Sequence, residues 1–152
     1  MTWQTCYRGL MPDEFLAGLS VQEREPGWRK IIDAPGSMSF VCRSQRQTVG
    51  FAACGSTRDA DKDPAVVGEL YAIYVLPDFW GKGYGHALWR RVGRDLILAK
   101  FKEVNLWVLH GNARGRRFYE REGFQIDSAP IKEAHVGGVK LPEVRYWKRL
   151  TR

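Results

Sequence analysis

Apolar and polar positions fall along this chain in short runs that can be read element by element. Pro12-Asp13-Glu14 opens a short helix with Phe15, Leu16 and Leu19 on its apolar side, because a proline at a helix start gives up no internal hydrogen bond. Ser20-Val21-Gln22-Glu23 fits a capping box and predicts a second helix carrying Trp28, Ile31 and Ile32, stopped by Pro35-Gly36. Residues 39–43 and 48–56 read as two strands joined by the polar turn Ser44-Gln45-Arg46-Gln47, a hairpin. Gly50 and Gly55 weaken the second strand and mark candidate bulges. Residues 69–75 form a further strand, ended by Pro77, which has no amide to donate to a ladder. Ala87, Leu88, Val92 and Leu96 then recur at helical spacing over 83–99. An apolar strand over 103–109, a helix over 112–122 ended by Gly123, and strands over 124–127 and 141–150 complete the pattern, with Val136-Gly137-Gly138-Val139 in the last connection. Strands alternate with helices in the middle and pair as hairpins at both ends. This is a mixed α/β sheet of mostly antiparallel strands flanked by helices, without linker, repeat or low-complexity segment.

The centre of the pattern is 69–88, where the strand runs through a short turn into Trp80-Gly81-Lys82-Gly83-Tyr84-Gly85-His86 and then a helix. Glycines on alternate residues let the backbone bend tightly and leave its amides uncovered. At a helix N-terminus those amides make an anion site suited to a diphosphate. A Walker A loop is absent, and the dinucleotide fingerprint fails because its third glycine would fall at His86. A plain strand-to-helix turn is the structural alternative.

The same run resembles the acyl-CoA-binding motif of the GNAT superfamily of N-acetyltransferases, Q/R-x-x-G-x-G/A. The match falls on Trp80, Gly83 and Gly85, with Trp80 in place of the usual Gln or Arg. A second block, Asn112 through Phe124, is similar to the family's later motif: an Asn opening a helix, Tyr119 seven residues on, then Gly123-Phe124. Trp3 and Tyr7-Arg8-Gly9-Leu10 match a stretch that in the family follows an initial strand and most of a first helix. The resemblance therefore implies that the first family strand is missing from this sequence. Loss of an edge strand exposes ladder groups and favours oligomer contacts such as a homodimer.

Acetyl transfer to an amine needs an anchored co-substrate, a polarised thioester carbonyl, a deprotonated amine and an acid for the leaving thiolate. The resemblance implies acetyl-CoA, with Ile73, Tyr74 and Val75 along the pantetheine arm in a splay between this strand and the next. Gly81, Lys82, Gly83, Tyr84, Gly85 and His86 would cradle the diphosphate. Asn112 would cap its helix and touch the cofactor. Tyr119 matches the family's general acid beside the sulfur, its alternative being a packed helix aromatic. Glu69 falls where histone acetyltransferases carry a glutamate base acting through water, its alternative being a salt-bridged strand residue. Ribosomal-protein N-terminal acetyltransferases often use a Glu on the following strand, where this chain has Trp107. His110 is a second base candidate because histidine is the side chain that ordinarily exchanges a proton near neutrality. The acceptor stays open between a small amine, an antibiotic-like amine and a peptide amine, and Trp28, Trp107 and Trp147 either line its pocket or fill the core.

Composition narrows this picture little. At 152 residues with 44% hydrophobic and 27% charged positions, one domain over residues 1–152 is expected. No apolar run reaches the roughly 20 residues that span a bilayer, and the N-terminus has no long apolar region, so the cytoplasm is expected. Cys6, Cys42 and Cys54 are odd in number and far apart, which argues for reduced thiols, and none has zinc-ligand spacing, so no metal is expected. Asp59, Asp61 and Asp63 imitate a calcium loop, but Pro64 and Leu70 occupy its glycine and glutamate positions. The net charge of +7 suits a polyanionic cofactor and is the sole pointer to nucleic acid, as in a tRNA-directed acetyltransferase. A non-catalytic acyl-CoA-binding module is the rival of another class.

Overall fold

A computed structural model of the chain describes residues 2–151, to which the following statements refer. Three helices come first: α1 (Thr2–Cys6), α2 (Asp13–Ala17) and α3 (Val21–Ile32). Ser20 caps α3, its hydroxyl accepting from the Glu23 amide at 3.3 Å. The first strand is β1 (Met38–Ser44), so no strand precedes it among the described residues. It pairs antiparallel with β2 (Gln47–Ser56) through the tight turn at Gln45-Arg46. The sheet continues with β3 (Val67–Val75), helix α4 (Tyr84–Leu98), β4 (Glu103–Leu109), helix α5 (Ala113–Arg121), β5 (Gln125–Ile126), β6 (Lys132–Val136) and β7 (Val139–Arg149). Its order is β1-β2-β3-β4-β7-β5, with β6 also on β7. Every pairing is antiparallel except β3 with β4.

Two bulges shape the sheet. One inserts Val49 beside Gly50 in β2, and the other inserts Tyr71 in β3 opposite Ala53 and Cys54. The second is held by the Tyr71 hydroxyl, which donates to the Ser56 carbonyl at 2.7 Å. It also needs Gly55, since a Cβ there would lie 2.5 Å from that hydroxyl. A bulged strand bends and twists away from its neighbour. The β3–β4 ladder covers Val67 to Glu69 against Glu103 to Asn105 and goes no further. Beyond it the strands diverge.

Helix α4 covers one face with Leu88, Trp89, Val92 and Leu96. These pack with Leu70, Val104, Leu106, Val108, Phe124 and Tyr146 into the main core. Trp89 takes the place on that stripe expected for Ala87, which is exposed. A smaller apolar cluster joins Met11 and Leu16 to Leu109, with Trp3 and Tyr7 against it. A further difference from the sequence reading lies at Gly137-Gly138. Both residues have positive φ and form a two-residue hairpin turn between β6 and β7, so the connection contains a strand.

Asp63 of the 57–66 loop accepts from the Ala65 amide, whereas Asp59 and Asp61 are counter-ions of Arg145, which is 4% exposed. Its guanidinium donates to Asp59 at 3.1 Å, to Asp61 at 2.7 Å and to Asp127 at 3.0 Å. Asp59 also accepts from Asn105 at 2.6 Å and Trp107 at 3.0 Å. The Arg145 hydrogen bonds hold the Asp61 carboxyl down at about 2. The loop is pinned across the sheet face by these bonds, and no metal-ligand cluster exists among the described residues.

Candidate active site

The divergence of β3 and β4 opens a cleft of about 810 Å³. Ile73, Tyr74 and Val75 line one wall, Trp107, Val108 and Leu109 another. Past the end of β3 a short 3-10 turn (Pro77–Phe79) leads into the glycine loop. Gly81 and Gly83 have φ of +72° and +86°, a region L side chains avoid. Gly83 caps α4 with no side-chain hydrogen bond, and the first turn of α4 carries no acidic residue. The orphan amides of that turn therefore open into the cleft with the positive end of the helix dipole behind them, a cradle suited to an anion. Gly81, Gly83, Tyr84, Gly85 and His86 line this end, whereas Lys82 stands outside it over the Phe79 ring. Gly85 has a different role from its neighbours. It is helical, and a Cβ there would lie 3.2 Å from the Phe118 ring, so its missing side chain eases the close packing of α5 on α4.

Trp80, the departure from the family motif, is tied into the loop. Its Nε1 donates to the Val75 carbonyl at 2.8 Å, and the Arg114 guanidinium stacks on its ring at 3.9 Å. Arg114 is thereby delivered to the cleft, where Arg117 and Arg121 of the same helix also face. His86 pairs with Glu122 at 2.9 Å. Asn112 accepts from the Gly115 amide at 2.9 Å, capping α5 as expected, and lines the cleft.

Tyr119 lies in the last turns of α5, its ring against Phe118 and Phe124 at 5.4 and 5.8 Å. Its hydroxyl bonds to no described residue, and burial pushes its pKa up, with Tyr74 and Cys6 adding to the shift. The Tyr7 and Tyr74 hydroxyls meet at 3.2 Å in the same cleft. Burial likewise raises the Cys6 thiol, against the pull of Arg114. Cys54 is fully buried and pushed up to about 12 by desolvation. All three thiols are free.

Glu69 does not line this cleft. It is 2% exposed, and both carboxylate oxygens are engaged by Arg58, through the amide at 2.8 Å and the guanidinium at 2.5 Å. His110 is exposed at the end of β4 and does not line the cleft either. Two carboxylates do: Glu122, which is paired with His86, and Glu143 of β7, opposite Leu109. Burial pushes the Glu143 carboxyl upward from the ordinary value, against the opposing pull of Lys132 and Arg58. Among the described residues it has no ion pair. Sequence reasoning missed Glu143, which strand pairing brings to the cleft, and Tyr7 and Cys6, which reach it from the N-terminal helix and the turn after it; no local motif announces either route. Trp107 lines the cleft, whereas Trp28 packs on Phe51 at 5.1 Å.

Residues 3–124 match the model of the Acetyltransferase (GNAT) family. The chain belongs to that family. It is 30% identical over 144 residues to an uncharacterized N-acetyltransferase, YuaI, of Bacillus subtilis, covering 94% of this chain and 79% of that one. The fold is that of the PaiA N-acetyltransferase of Thermoplasma acidophilum, solved in complex with coenzyme A (TM-score 0.72, 17% identity, 97% and 86% of the two chains covered). It is also that of a ribosomal-protein-alanine N-acetyltransferase of Brucella melitensis (TM-score 0.71, 21% identity, 88% and 82% covered). No helix among the described residues of this GNAT protein is long and apolar enough to cross a membrane.

Proposed function

We propose that this GNAT domain moves the acetyl group of acetyl-CoA to a primary amine by direct attack. The observation that carries the reading is the continuity of the β3–β4 fork with the uncapped, glycine-lined start of α4. One polyanionic molecule with an extended amide arm satisfies both. The amides of 81–86 meet the diphosphate, with Lys82 and Arg114 supplying positive charge at its margin. The backbone groups of Ile73–Val75 that β2 does not take pair with the pantetheine arm, except the Val75 carbonyl, which already accepts from Trp80. Asn112 keeps α5 in place over the arm.

At the thioester, the amine nitrogen attacks the carbonyl carbon and the carbon–sulfur bond breaks. Tyr119 donates its proton to the departing thiolate, a role supported by its unbonded hydroxyl, which burial keeps protonated. The proton of the substrate ammonium passes to Glu143, directly or through one water. Burial makes that carboxylate more basic than an exposed one. Glu69 is the neighbouring carboxylate. Its charge adds to the basicity of Glu143, and its clasp on Arg58 shapes the wall beside it.

The test is calorimetry with acetyl-CoA, joined to thiol release with a panel of amines. Binding in the low micromolar to submillimolar range and amine-dependent thiol release are expected. No heat of binding at millimolar acetyl-CoA refutes the reading. Binding without thiol release from any amine leaves the non-catalytic module in its place.

A further inference from the structure

A second pocket, of about 280 Å³, adjoins the cleft. It shares Leu70, Tyr71, Trp107 and Glu143 with it, so Glu143 stands in the wall common to both. Arg58, Asp59, Glu69 and Lys132 complete the lining. This hollow lies at or just under the roughly 300–1,000 Å³ of sites for drug-sized molecules, which suits a small acceptor. Its charges are mostly spoken for. Asp59 is held by Asn105, Trp107 and Arg145, and Glu69 by Arg58. Two charges remain without an ion pair among the described residues: the Glu143 carboxylate and the Lys132 ammonium.

These two are direct partners across the β6–β7 ladder. Such side chains share one sheet face with their Cβ atoms about 5 Å apart. They are nevertheless not paired with each other. The Lys132 ammonium lies instead 5.1 Å from the centre of the Trp107 ring, and the Arg58 guanidinium 4.4 Å from that of Tyr71. The pocket therefore offers one free carboxylate on the thioester side, one free cation next to it, and aromatic walls.

Resting on the acetyltransferase reading above, we propose that the acceptor is a small zwitterionic amine of the α-amino-acid class, with its amino group at Glu143 and its acid group at Lys132. An α-amino acid carries both charges on one carbon, which matches adjacent ladder positions. A polyamine would set its second ammonium against Lys132 and Arg58. An internal peptide unit would leave Lys132 without a counter-ion.

The experiment measures thiol release by the full chain with acetyl-CoA and the common L-amino acids, their methyl esters and amides, and spermidine. At least one free amino acid is expected to be used in preference to its own ester. Lys132 is exposed, so Lys132→Ala should fold. It should lower kcat/KM for that amino acid by about 10-fold to 100-fold, the scale of losing a hydrogen bond to a charged group. The loss should appear in KM and be larger for the free amino acid than for its ester, which feels only the change that losing Lys132 makes at Glu143. The proposal is overturned if esters or spermidine are used as well as free amino acids, or if Lys132→Ala lowers both equally. It is overturned as well if acetyl-CoA binds and no free amino acid releases thiol. Failure of acetyl-CoA to bind removes the acetyltransferase reading itself, so the two failures are distinguishable.

Discussion

Replacing Glu143 with glutamine should separate stability from catalysis in opposite directions. The side chains differ little in volume, so the packing against Leu109 across the ladder stays intact. In the folded chain, burial raises the Glu143 carboxyl, which means that folding disfavours its charged form. A carboxyl whose pKa is raised on folding withdraws stability as pH climbs through the unfolded value of about 4.5 toward the folded one, and the loss persists above both. No ion pair compensates, so glutamine at 143 should leave the melting temperature at pH 7 unchanged or higher. Turnover should fall by about 10²-fold, the lower end of what a positioned general base contributes. As pH rises toward the pKa of the acceptor ammonium, free amine becomes abundant and much of that loss should be recovered. Thiol release followed from pH 6 to 10, beside thermal melting by circular dichroism, tests both halves. A Glu143→Gln enzyme with the unaltered pH profile would remove Glu143 from proton transfer. A fall of several degrees in melting temperature would show that the carboxylate is structural.

Other variants probe the remaining parts. Tyr119→Phe keeps the ring contacts with Phe118 and Phe124 and should lower kcat by about 10²-fold with acetyl-CoA affinity unchanged in calorimetry; full activity would reduce Tyr119 to a packing residue. Gly83→Ala meets no atom within 4 Å but is forced to a φ of +86°, so it should cost about 1–2 kcal/mol of stability and weaken acetyl-CoA binding. Gly85→Val should push the Phe118 ring aside and loosen the α4–α5 contact, lowering the melting temperature, and an unchanged melting temperature would show that the contact does not depend on the missing side chain. Arg145→Leu strips Asp59 and Asp127 of their buried partner and should cost about 3–5 kcal/mol in denaturant unfolding. In the unaltered chain, the depressed carboxyl of Asp61 contributes stability above its ordinary value near 3.8 that is lost as pH falls toward about 2.

What the sequence disclosed and what it hid follow a physical line. The strand Glu103–Leu109 and the helix opened by Asn112 were legible because a continuous apolar run and a side-chain cap are local signals. So were the glycine loop and the fork beside it, once the family resemblance was in hand. Strand β6 was hidden because Lys132-Glu133-Ala134-His135-Val136 is mostly exposed and carries almost no apolar alternation. For Glu69 the sequence left a base and a salt-bridged strand residue both open, since its partner, Arg58, lies in a charged loop whose path no pattern predicts. Glu143 escaped notice because its neighbours, Leu109 and Lys132, are brought to it by pairing across separate strands. The aspartates of the 57–66 loop read as a failed metal site, and only the buried Arg145 on a distant strand explains Asp59 and Asp61.

The bulge at Tyr71 has a thermodynamic consequence for the ligand. The fork between β3 and β4 is bent into the backbone by an extra residue, locked by the Tyr71–Ser56 bond and by the missing Cβ of Gly55. Its unpaired amides face water in the free protein instead of a neighbouring strand. A ligand arm entering there exchanges hydration for hydrogen bonds without first prising a ladder apart. Association should then be limited by diffusion and orientation rather than by an opening step, with an observed rate that rises linearly with ligand concentration in stopped flow and shows no plateau. The conformational cost of the site is met during folding, so affinity is not reduced by a scarcely populated open form.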